Sequence, residues 1–355
     1  MLRRLIKISS FFVILLALFL LLGACGGEDS GGQGGGNKDT YDVYLSNNFL
    51  GNDYRVQMTK TAEAALKHPP LEGRAKLEIV NAETTVPAQI ASLNQIVQRT
   101  PDAILIDAGS PDALNPTIER ACDQNIVVVS FDQTVTAECA YKVHTDFQAS
   151  AQSGAEWLVE TLDGGGNVLV DQGLPGAPIS QTILDGFDEV LQKNPDVKVT
   201  GKYTGEYALG PEQQGVASLL ASSQKVDGVL TQGYCTGAME ALKGAGRDRV
   251  PMYCQAYNGT LTACDKEGQD CFLTSNPAWL SAEAMKLAVA ILDGDEPENK
   301  DIVVESPCFT TNEVTPKGLE CDKVKVGTNA FPDLAPGLTL PVSPKWTKIQ
   351  PSEVD

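Results

Sequence analysis

The chain has 355 residues, of which 46 are acidic and 27 are basic, and its formal net charge is −19. This excess of negative charge disfavours nucleic acid and anionic membrane surfaces as partners, because both carry negative phosphates. Hydrophobic residues form 42% of the sequence, which excludes disorder for most of the chain, and the length predicts roughly two domains.

Residues 1–24 have the pattern of an export signal. Three cations precede an unbroken apolar run over 11–22, which is too short to cross a membrane as a helix. The run ends in Leu22-Gly23-Ala24-Cys25, which resembles the bacterial lipobox. This resemblance implies that Cys25 carries lipid and anchors the protein outside the cytoplasmic membrane. The alternative is an ordinary signal peptide with an incidental cysteine. Removal of residues 1–24 leaves 24 basic against 46 acidic residues, a net charge of −22.

Residues 25–40 are rich in glycine and predict a flexible tether, so that structure begins near Tyr41. Strands and helices then alternate. A first series predicts strands at 42–46, 76–80, 103–107 and 126–131, and helices at 53–67, 86–99 and 112–124. A second series predicts strands at 167–171, 197–203, 226–230 and 251–255, and helices at 149–162, 179–193, 211–223 and 236–244. A strand and helix at 272–275 and 278–292 precede a strand at 301–305, and 309–355 are proline-rich and irregular.

The repeated strand–helix units of about 25 to 30 residues indicate an α/β protein. Each series predicts a parallel sheet with helices on both faces, and the run at 126–131 is continuously apolar, as in a strand covered on both sides. The predicted fold class is therefore two doubly wound parallel-sheet lobes.

The cysteines indicate an exported protein. Setting Cys25 aside leaves eight, an even number that predicts disulfides in an oxidising compartment. Proximity in the sequence favours four pairs among the 105 possible connectivities: Cys122 with Cys139, Cys235 with Cys254, Cys264 with Cys271, and Cys308 with Cys321. We expect no metal site, because no C-x-x-C motif occurs and the chain has two histidines.

Ligands of doubly wound sheets bind beyond the carboxyl ends of the strands. The loops that follow the predicted strands are rich in amides, carboxylates and aromatic residues. Amides and carboxylates suit the hydroxyls of a sugar-like ligand, and aromatic faces suit the apolar side of a ring. The candidate ligand-binding residues are Asn47, Asn48, Phe49, Tyr54, Asp107, Asp132, Gln133, Gln181, Tyr207, Tyr234, Asn258, Asn276 and Trp279.

Each candidate also has a purely structural explanation. The two asparagines after the first strand could cap the helix that begins at Asp53, and the two aspartates could cap the segments that follow them. The aromatic residues could be packing residues, and Gln181 could be a solvated helix residue. Arg55 is assigned either to support of the first loop or to solvent.

Signals of an enzyme are poor. The chain lacks a G-x-S-x-G elbow, an H-E-x-x-H motif and a dinucleotide-binding fingerprint. The glycine run 164–166 precedes a strand, whereas a phosphate-binding loop follows a strand and begins a helix. We therefore expect no catalytic residue and no cofactor.

Three stretches of the first series carry a family resemblance: PDAILID at 101–107, ALNPTI at 113–118 and IVVVSFD at 126–132. In this order they resemble type I periplasmic binding proteins, in the sugar-binding, ribose/galactose-type branch that serves ABC importers. Residues 165–170, Gly173, Gly186-Phe187, 226–229 and Gly237-Ala238 continue the resemblance, which covers about 41–306.

The resemblance implies two lobes joined by a three-crossover hinge, with the ligand enclosed in the cleft between them. We divide the chain accordingly into an N-terminal lobe (41–132 plus 257–298), a C-terminal lobe (133–256 plus 299–312) and a proline-rich tail (313–355). The resemblance implies ligand contacts for Asn48, the aromatic residues after the first strand, Asp132, Gln181 and Asn258.

The chain also departs from the family pattern. Gln133 and Gln181 stand where family members commonly have arginine, Asn258 stands where they have aspartate, and the loop 232–236 lacks an Asn-Asp pair. These differences predict a less charged cleft. We therefore hypothesise a neutral, partly apolar ligand such as a polyol, a modified sugar or a nucleoside-like compound.

The function expected from the resemblance is an extracytoplasmic solute-binding lipoprotein of an ABC importer. Its expected partners are a small-molecule ligand, the ABC permease subunits and, through the lipid anchor, the membrane; we expect a monomer that binds no nucleic acid. One alternative is a ligand-sensing lipoprotein that presents its closed form to a membrane sensor kinase or chemoreceptor. A second is an extracellular hydrolase, which the missing nucleophile motif disfavours.

Overall fold

The computed structural model describes residues 40–83, 85–175, 177–222, 225–323 and 335–355. The predicted signal peptide, the lipid anchor at Cys25 and the tether up to residue 39 lie outside these ranges, as does Ser223 at the end of one predicted helix. In the described ranges, no helix combines the length and the apolar character that a membrane span requires.

Strands and helices alternate along the described chain. The strands are β1 (Tyr41–Asn47), β2 (Ala75–Asn81), β3 (Ala103–Asp107), β4 (Val127–Phe131), β5 (Tyr141–Thr145), β6 (Gly166–Asp171), β7 (Val197–Tyr203), β8 (Gly228–Leu230), β9 (Met252–Gln255), β10 (Cys271–Thr274), β11 (Asp301–Val304), β12 (Cys308–Thr310) and β13 (Asp322–Lys323). The helices are α1 (Asp53–Ala65), α2 (Val86–Gln98), α3 (Asn115–Asp123), α4 (Phe147–Thr161), α5 (Pro178–Lys193), α6 (Leu209–Leu220), α7 (Thr236–Gly244), α8 (Asn258–Glu267) and α9 (Leu280–Leu292).

The strands form two sheets. The first sheet has the order β11-β5-β4-β3-β1-β2, and all of its pairings are parallel. The second has the order β13-β12-β10-β9-β8-β6-β7 and is parallel except where β12 runs antiparallel to β10. The five residues of β3 are all buried, as expected for an apolar strand with helices on both faces.

The chain passes between the two sheets three times. The first crossover follows β5, since the next helix, α4, packs on β8, β9 and β10. The second follows β10, since α9 packs on β3, β4 and β5. The third lies between β11 in the first sheet and β12 in the second. We call the part built on the first sheet the first lobe and the part built on the second sheet the second lobe.

These crossovers correct the lobe boundaries drawn from the sequence. Strand β5 lies beyond residue 132 but pairs with β4 in the first sheet, and β11 lies in the range 299–312 but pairs with β5. Helix α8 and β10 lie in the range 257–298 but belong to the second lobe, since β10 pairs with β9 and the Cys264–Cys271 disulfide links α8 to β10. Strand pairing joins residues distant in sequence, so local patterns located most of the elements but not the sheets to which they belong.

The four disulfides predicted from sequence proximity are confirmed. They join Cys122 to Cys139, Cys235 to Cys254, Cys264 to Cys271, and Cys308 to Cys321. The first closes the loop between α3 and β5 in the first lobe, and the other three lie in the second lobe. Each shortens the loops available to the unfolded chain, which stabilises the folded state.

The prediction that residues 309–355 are irregular is wrong at their start, because β12 and β13 extend the second sheet there. The described residues 335–355 are largely irregular, but they are packed. Residues 335–355 contain an isolated bridge at Thr339 and a 3-10 turn at Pro351–Glu353. Several of their side chains are buried, namely those of Leu338, Leu340, Val342, Ile349 and Val354. This segment is therefore part of the folded body.

Candidate ligand-binding site

A cavity of about 410 Å³ lies between the lobes, where the carboxyl ends of both sheets meet. Its lining comes from three places. The first lobe contributes Asn48, Phe49, Asn52, Tyr54, Arg55, Gly109, Asp132 and Gln133; the second contributes Phe147, Leu174, Pro175, Ala177, Ile179, Ile183, Tyr207, Gln232, Gln255 and Tyr257; and the second crossover contributes Asn276. A smaller cavity of about 310 Å³ shares five of these residues and extends the cleft towards His144 and Asp146.

Arg55 is the central charge of the first-lobe wall. Asn52 is the N-cap of α1 and its side chain accepts from the backbone N–H of Arg55 (2.9 Å), and Arg55 is only 4% exposed. Its guanidinium pairs with Asp107, lies 3.7 Å from a carboxylate oxygen of Asp132 and donates to Asn47 Oδ1 (3.3 Å). One buried cation therefore faces two buried carboxylates, and neither alternative proposed for Arg55 describes this position fully.

Gln133 completes the surroundings of this guanidinium. With its amide oriented to satisfy both neighbours, it donates to the Ala108 carbonyl (3.2 Å) and accepts from Arg55 Nη2 (2.5 Å). The sequence predicts a loss of charge at this position, because family members commonly have arginine there. In this chain the guanidinium at this wall comes from Arg55 on α1, which contacts Gln133. The positive charge is therefore present, but on a different element from the one that carries it in family members.

Asp132 links the first-lobe wall to the hinge. It has a positive φ of 57°, and it accepts from Asn276 Nδ2 (2.8 Å). Asn276 also donates to the Tyr54 hydroxyl (3.2 Å) and accepts from Thr145 (3.1 Å), which ends β5 at the first crossover. Burial raises the pKa of Asp132 above its usual range, although Arg55 and Asn276 oppose this shift by favouring the carboxylate.

The second-lobe wall is held by Asp171 at the end of β6. Its carboxylate accepts from the backbone N–H groups of Gly173 (2.9 Å), Gly205 (2.7 Å) and Gln232 (3.1 Å), which belong to three different loops. Gly173 has a φ of +69°, and an added Cβ would lie 2.2 Å from Gln232 Oε1, so the position requires glycine. Burial raises the pKa of Asp171, and the three N–H groups oppose the shift.

Tyr207 and Gln232 present polar groups from this wall. The Tyr207 hydroxyl lies 2.6 Å from Ser180 Oγ and donates to Gln232 Oε1 (3.3 Å). The Gln232 amide donates to the carbonyl oxygens of Asp171 and Ser180. Burial raises the pKa of Tyr207 to about 12, so its hydroxyl stays protonated at neutral pH.

The structure separates the sequence-predicted residues into two groups. Asn48, Phe49, Tyr54, Asp132, Gln133, Tyr207 and Asn276 line the cavity. Asn47 and Asp107 lie beneath it and hold Arg55, whereas Tyr234 stacks on Tyr257 with ring centroids 4.1 Å apart. Asn258 begins α8, and Trp279 packs in the core.

Gln181 is placed away from the cavity. Its side chain is exposed and donates to Asp185 (2.7 Å) one turn along α5. Ile179 and Ile183, which are four residues apart, face the cavity instead. A residue two positions from Ile179 lies about 200° around the helix, which puts Gln181 on the opposite face.

The sequence left several lining residues unassigned. Four of them lie at the ends of predicted strands or just before a predicted helix, and this position at the edge of a sheet is the signal that could have identified them: Asn52, Gln232, Gln255 and Tyr257. The apolar residues Phe147 and Ile179 are ordinary core residues by sequence, and only the crossover geometry turns them towards the cleft. Sulfur atoms of Cys235, Cys254, Cys264 and Cys271 cluster within 4.8 Å of one another, but they are paired in disulfides.

Two parallel-sheet lobes, three crossovers and an interlobe cavity define the class of the fold, a type I solute-binding architecture. Comparison with known proteins agrees. The sequence profile of the periplasmic binding protein domain matches residues 43–296. The chain belongs to the periplasmic binding protein family, and its predicted resemblance to the ribose-type sugar-binding branch is confirmed. Membership of this family implies a location outside the cytoplasmic membrane.

Individual relatives are distant. The chain is 26% identical over 242 residues to a xylitol-binding protein of Mycolicibacterium smegmatis, covering 66% of each chain. It is 23% identical to the ribose import binding protein of Bacillus subtilis, covering 79% of this chain and 92% of that protein. A solved ABC transporter solute binding protein from Thermobispora bispora superposes with a TM-score of 0.68 at 28% identity, covering 77% of this chain and 85% of that chain.

Proposed function

We propose that the chain is the solute-binding lipoprotein of an ABC importer and that it captures a neutral polyhydroxylated ligand of about the size of a pentose or pentitol. The observation that carries this proposal is the Arg55 cluster. The guanidinium is already paired with two carboxylates, so this wall offers hydrogen-bond donors and acceptors but no net positive charge.

This charge distribution selects against acidic sugars. A phosphate or carboxylate placed near Arg55 would also approach Asp107 and Asp132, and like charges in a partly desolvated site repel. Hydroxyl groups, which both donate and accept, suit the amides of Gln133 and Gln232 and the hydroxyl of Tyr207. Phe147 and Tyr257 offer aromatic surface for the carbon skeleton.

The relatives support the same ligand class. One is named for binding xylitol and another for importing ribose, and both compounds are neutral, polyhydroxylated and five carbons long. A cavity of about 410 Å³ has room for such a ligand. Capture would occur by closure of the lobes around the ligand, and the permease would recognise the closed form.

Matched neutral and anionic compounds test the ligand class. Xylitol and D-ribose would be compared with D-xylonate and D-ribose 5-phosphate by isothermal titration calorimetry and thermal unfolding. We expect the neutral compounds to bind; at 100 times its Kd, a ligand adds about 2.7 kcal/mol to the stability of the fold. Tight binding of the anionic compounds alone would contradict the proposal.

Two variants locate the binding in the cleft. Asp132→Asn keeps the shape of the side chain and removes its charge, and we expect weaker binding of the neutral ligand. Asp123→Asn, at the exposed end of α3, makes the same chemical change away from the cavity and serves as the control. Equal affinities for both variants would place the ligand elsewhere.

The importer and lipid-anchor parts need cellular tests. A deletion strain should lose uptake of the radiolabelled ligand, and the unaltered gene should restore it. Cys25→Ala should release the protein from the membrane fraction. Normal uptake in the deletion strain would argue against import and direct attention to the sensing alternative.

A further inference from the structure

The C-terminal segment 335–355, which we call the strap, packs against α1 and α9 of the first lobe. Leu340, Val342, Ile349 and Val354 belong to the same apolar cluster as residues of both helices. The Trp346 indole N–H donates to Glu283 on α9 (2.6 Å), and His68, just beyond α1, lies 3.0 Å from Glu353. The strap is therefore anchored along the first lobe.

The same segment is also bonded to the second lobe. Thr339 forms an antiparallel bridge with Tyr257, in the loop between β9 and α8. The backbone N–H of Asn258 donates to the Leu338 carbonyl (2.7 Å), that of Gly259 donates to the Pro336 carbonyl (2.7 Å), and that of Leu340 donates to the Ala256 carbonyl (3.2 Å). Four consecutive second-lobe residues, 256–259, thus contact one stretch of the strap.

Thr339 connects this stretch back to the first lobe. Gln57 on α1 donates to the Thr339 carbonyl (3.0 Å) and accepts from its backbone N–H (2.7 Å) and its hydroxyl (3.0 Å). The hydroxyl also accepts from the backbone N–H of Ala278 at the second crossover (3.0 Å). Gln57 and Thr339 are 1% and 3% exposed, so these bonds are shielded from water.

Both ends of this connection reach the ligand cavity. Tyr257 lines the cavity and stacks on Tyr234, and α1 carries Tyr54 and Arg55 on the opposite wall. A change in the angle between the lobes moves residues 256–259 relative to Gln57. Because Thr339 is bonded to both, such a motion must stretch or break buried hydrogen bonds.

We propose that the strap is a positioning element of the ligand-binding site. It holds Tyr257 against the cavity and, through Thr339 and Gln57, acts as a fourth connection that narrows the range of interlobe angles. The expected change in ligand dissociation rests on the proposed function, because that function includes ligand capture by lobe closure. The expected change in the interlobe distances of the ligand-free protein does not depend on the proposed function.

Gly259→Ala tests the second-lobe side of the connection. An added Cβ at Gly259 would lie 2.7 Å from Pro336 Cβ and 3.0 Å from the Pro336 carbonyl oxygen, so the strap must move away. Gly259 is the second residue of α8, and alanine is the better helix former, so the helix itself is not weakened. Gly210→Ala is the matched control, because Gly210 is the second residue of α6 and an added Cβ there meets nothing within 4 Å.

Thr339→Val tests the first-lobe side. It keeps the shape of the side chain and removes the hydroxyl that bonds Gln57 and Ala278. Thr347→Val, in the same strap, is its control. The four variants would be made in the full-length protein with its disulfides formed, and spin labels would be attached through non-cysteine unnatural residues at the exposed positions Glu119 (first lobe) and Glu189 (second lobe).

Double electron–electron resonance without ligand would measure the distribution of distances between the two spin labels. Hydrogen exchange would measure how often the hydrogen bonds of the backbone amides at 258, 259 and 340 open. We expect broader distances and faster exchange in Gly259→Ala and Thr339→Val than in their controls. Where xylitol binds, its dissociation should be about five- to tenfold faster, as expected for the loss of one or two hydrogen bonds.

The proposal is overturned if the distance distributions of both test variants match those of their controls. Unchanged dissociation of a bound ligand from both variants would also overturn the positioning role. Failure of xylitol and D-ribose to bind the unaltered protein would count against the proposed function, whereas the ligand-free distances test the strap independently.

Discussion

Arg55→Met tests whether burial makes the Arg55 cluster important for stability. Methionine keeps the length and apolar stem of the side chain but leaves Asp107 and Asp132, which are 0% and 6% exposed, without their cation. Removing one partner of a buried ion pair costs about 3–5 kcal/mol, because the remaining charge is buried without compensation. We expect a loss in this range at pH 7, measured by urea unfolding at 25 °C.

The loss should shrink in mild acid. Without Arg55 the folded-state pKa of Asp132, which burial already raises, has lost the group that most lowers it. An aspartate whose pKa is raised on folding takes up a proton as the pH falls, and the folded state is stabilised relative to neutral pH. The difference between the unaltered protein and Arg55→Met should therefore be smaller at pH 5 than at pH 7.

Arg74→Met is the matched control. Arg74 also binds a carboxylate, that of Asp293, at 2.6 and 2.8 Å, but its side chain is 33% exposed. Exposed ion pairs contribute about 0–1 kcal/mol, so the control should lose at most about 1 kcal/mol. A loss for Arg55→Met no larger than that of Arg74→Met would refute the view that burial makes the Arg55 cluster indispensable.

Further predictions concern pH, a disulfide and the cavity wall. Burial raises the pKa of Glu212 well above its usual value, so its contribution to stability falls as the pH rises above about 4.5; Glu212→Gln should flatten the dependence of Tm on pH between 5 and 8, and parallel curves would contradict this. Replacing both Cys235 and Cys254 by alanine opens a loop with a sequence separation of 19 and should cost about 3 kcal/mol in urea unfolding without reductant, and no loss would contradict the stabilising role of this disulfide. Tyr207→Phe removes the bonds to Ser180 and Gln232 and should weaken xylitol binding about fivefold by calorimetry, with Asp123→Asn as the unaffected control and an unchanged Kd as the contrary result.

Local patterns predicted most of the elements. The apolar run predicted at 126–131 is β4 at Val127–Phe131, and the run predicted at 103–107 is β3 with the same bounds. The strand β5, Tyr141–Thr145, was not predicted, although its five residues alternate between buried and partly buried positions as in a half-buried strand. Its place depends on pairing with β4 and β11, and β11 is more than 150 residues away.

The cleft residues also divide into those that the sequence predicted and those that only the structure located. Asp132 and Asn276 were identified because side chains that follow parallel strands gather at one edge of the sheet. Gln181 does not line the cavity, and the sequence left Arg55 undecided between support of the first loop and solvent, since the direction of a helical side chain depends on the phase of the helix against its sheet. A family pattern aligns positions along the chain and cannot supply that phase.

The sequence alone determined most of the alternation of strands and helices and the resemblance to the family, and it favoured the cysteine pairs that the structure confirms, because these depend on local periodicity and on residues close together in the chain. Only the tertiary structure decided which strands share a sheet, which cation faces Asp107 and Asp132, and that residues 335–355 join the two lobes. These features depend on contacts between residues far apart in sequence. Such contacts form only when the whole chain has folded, so no local pattern records them.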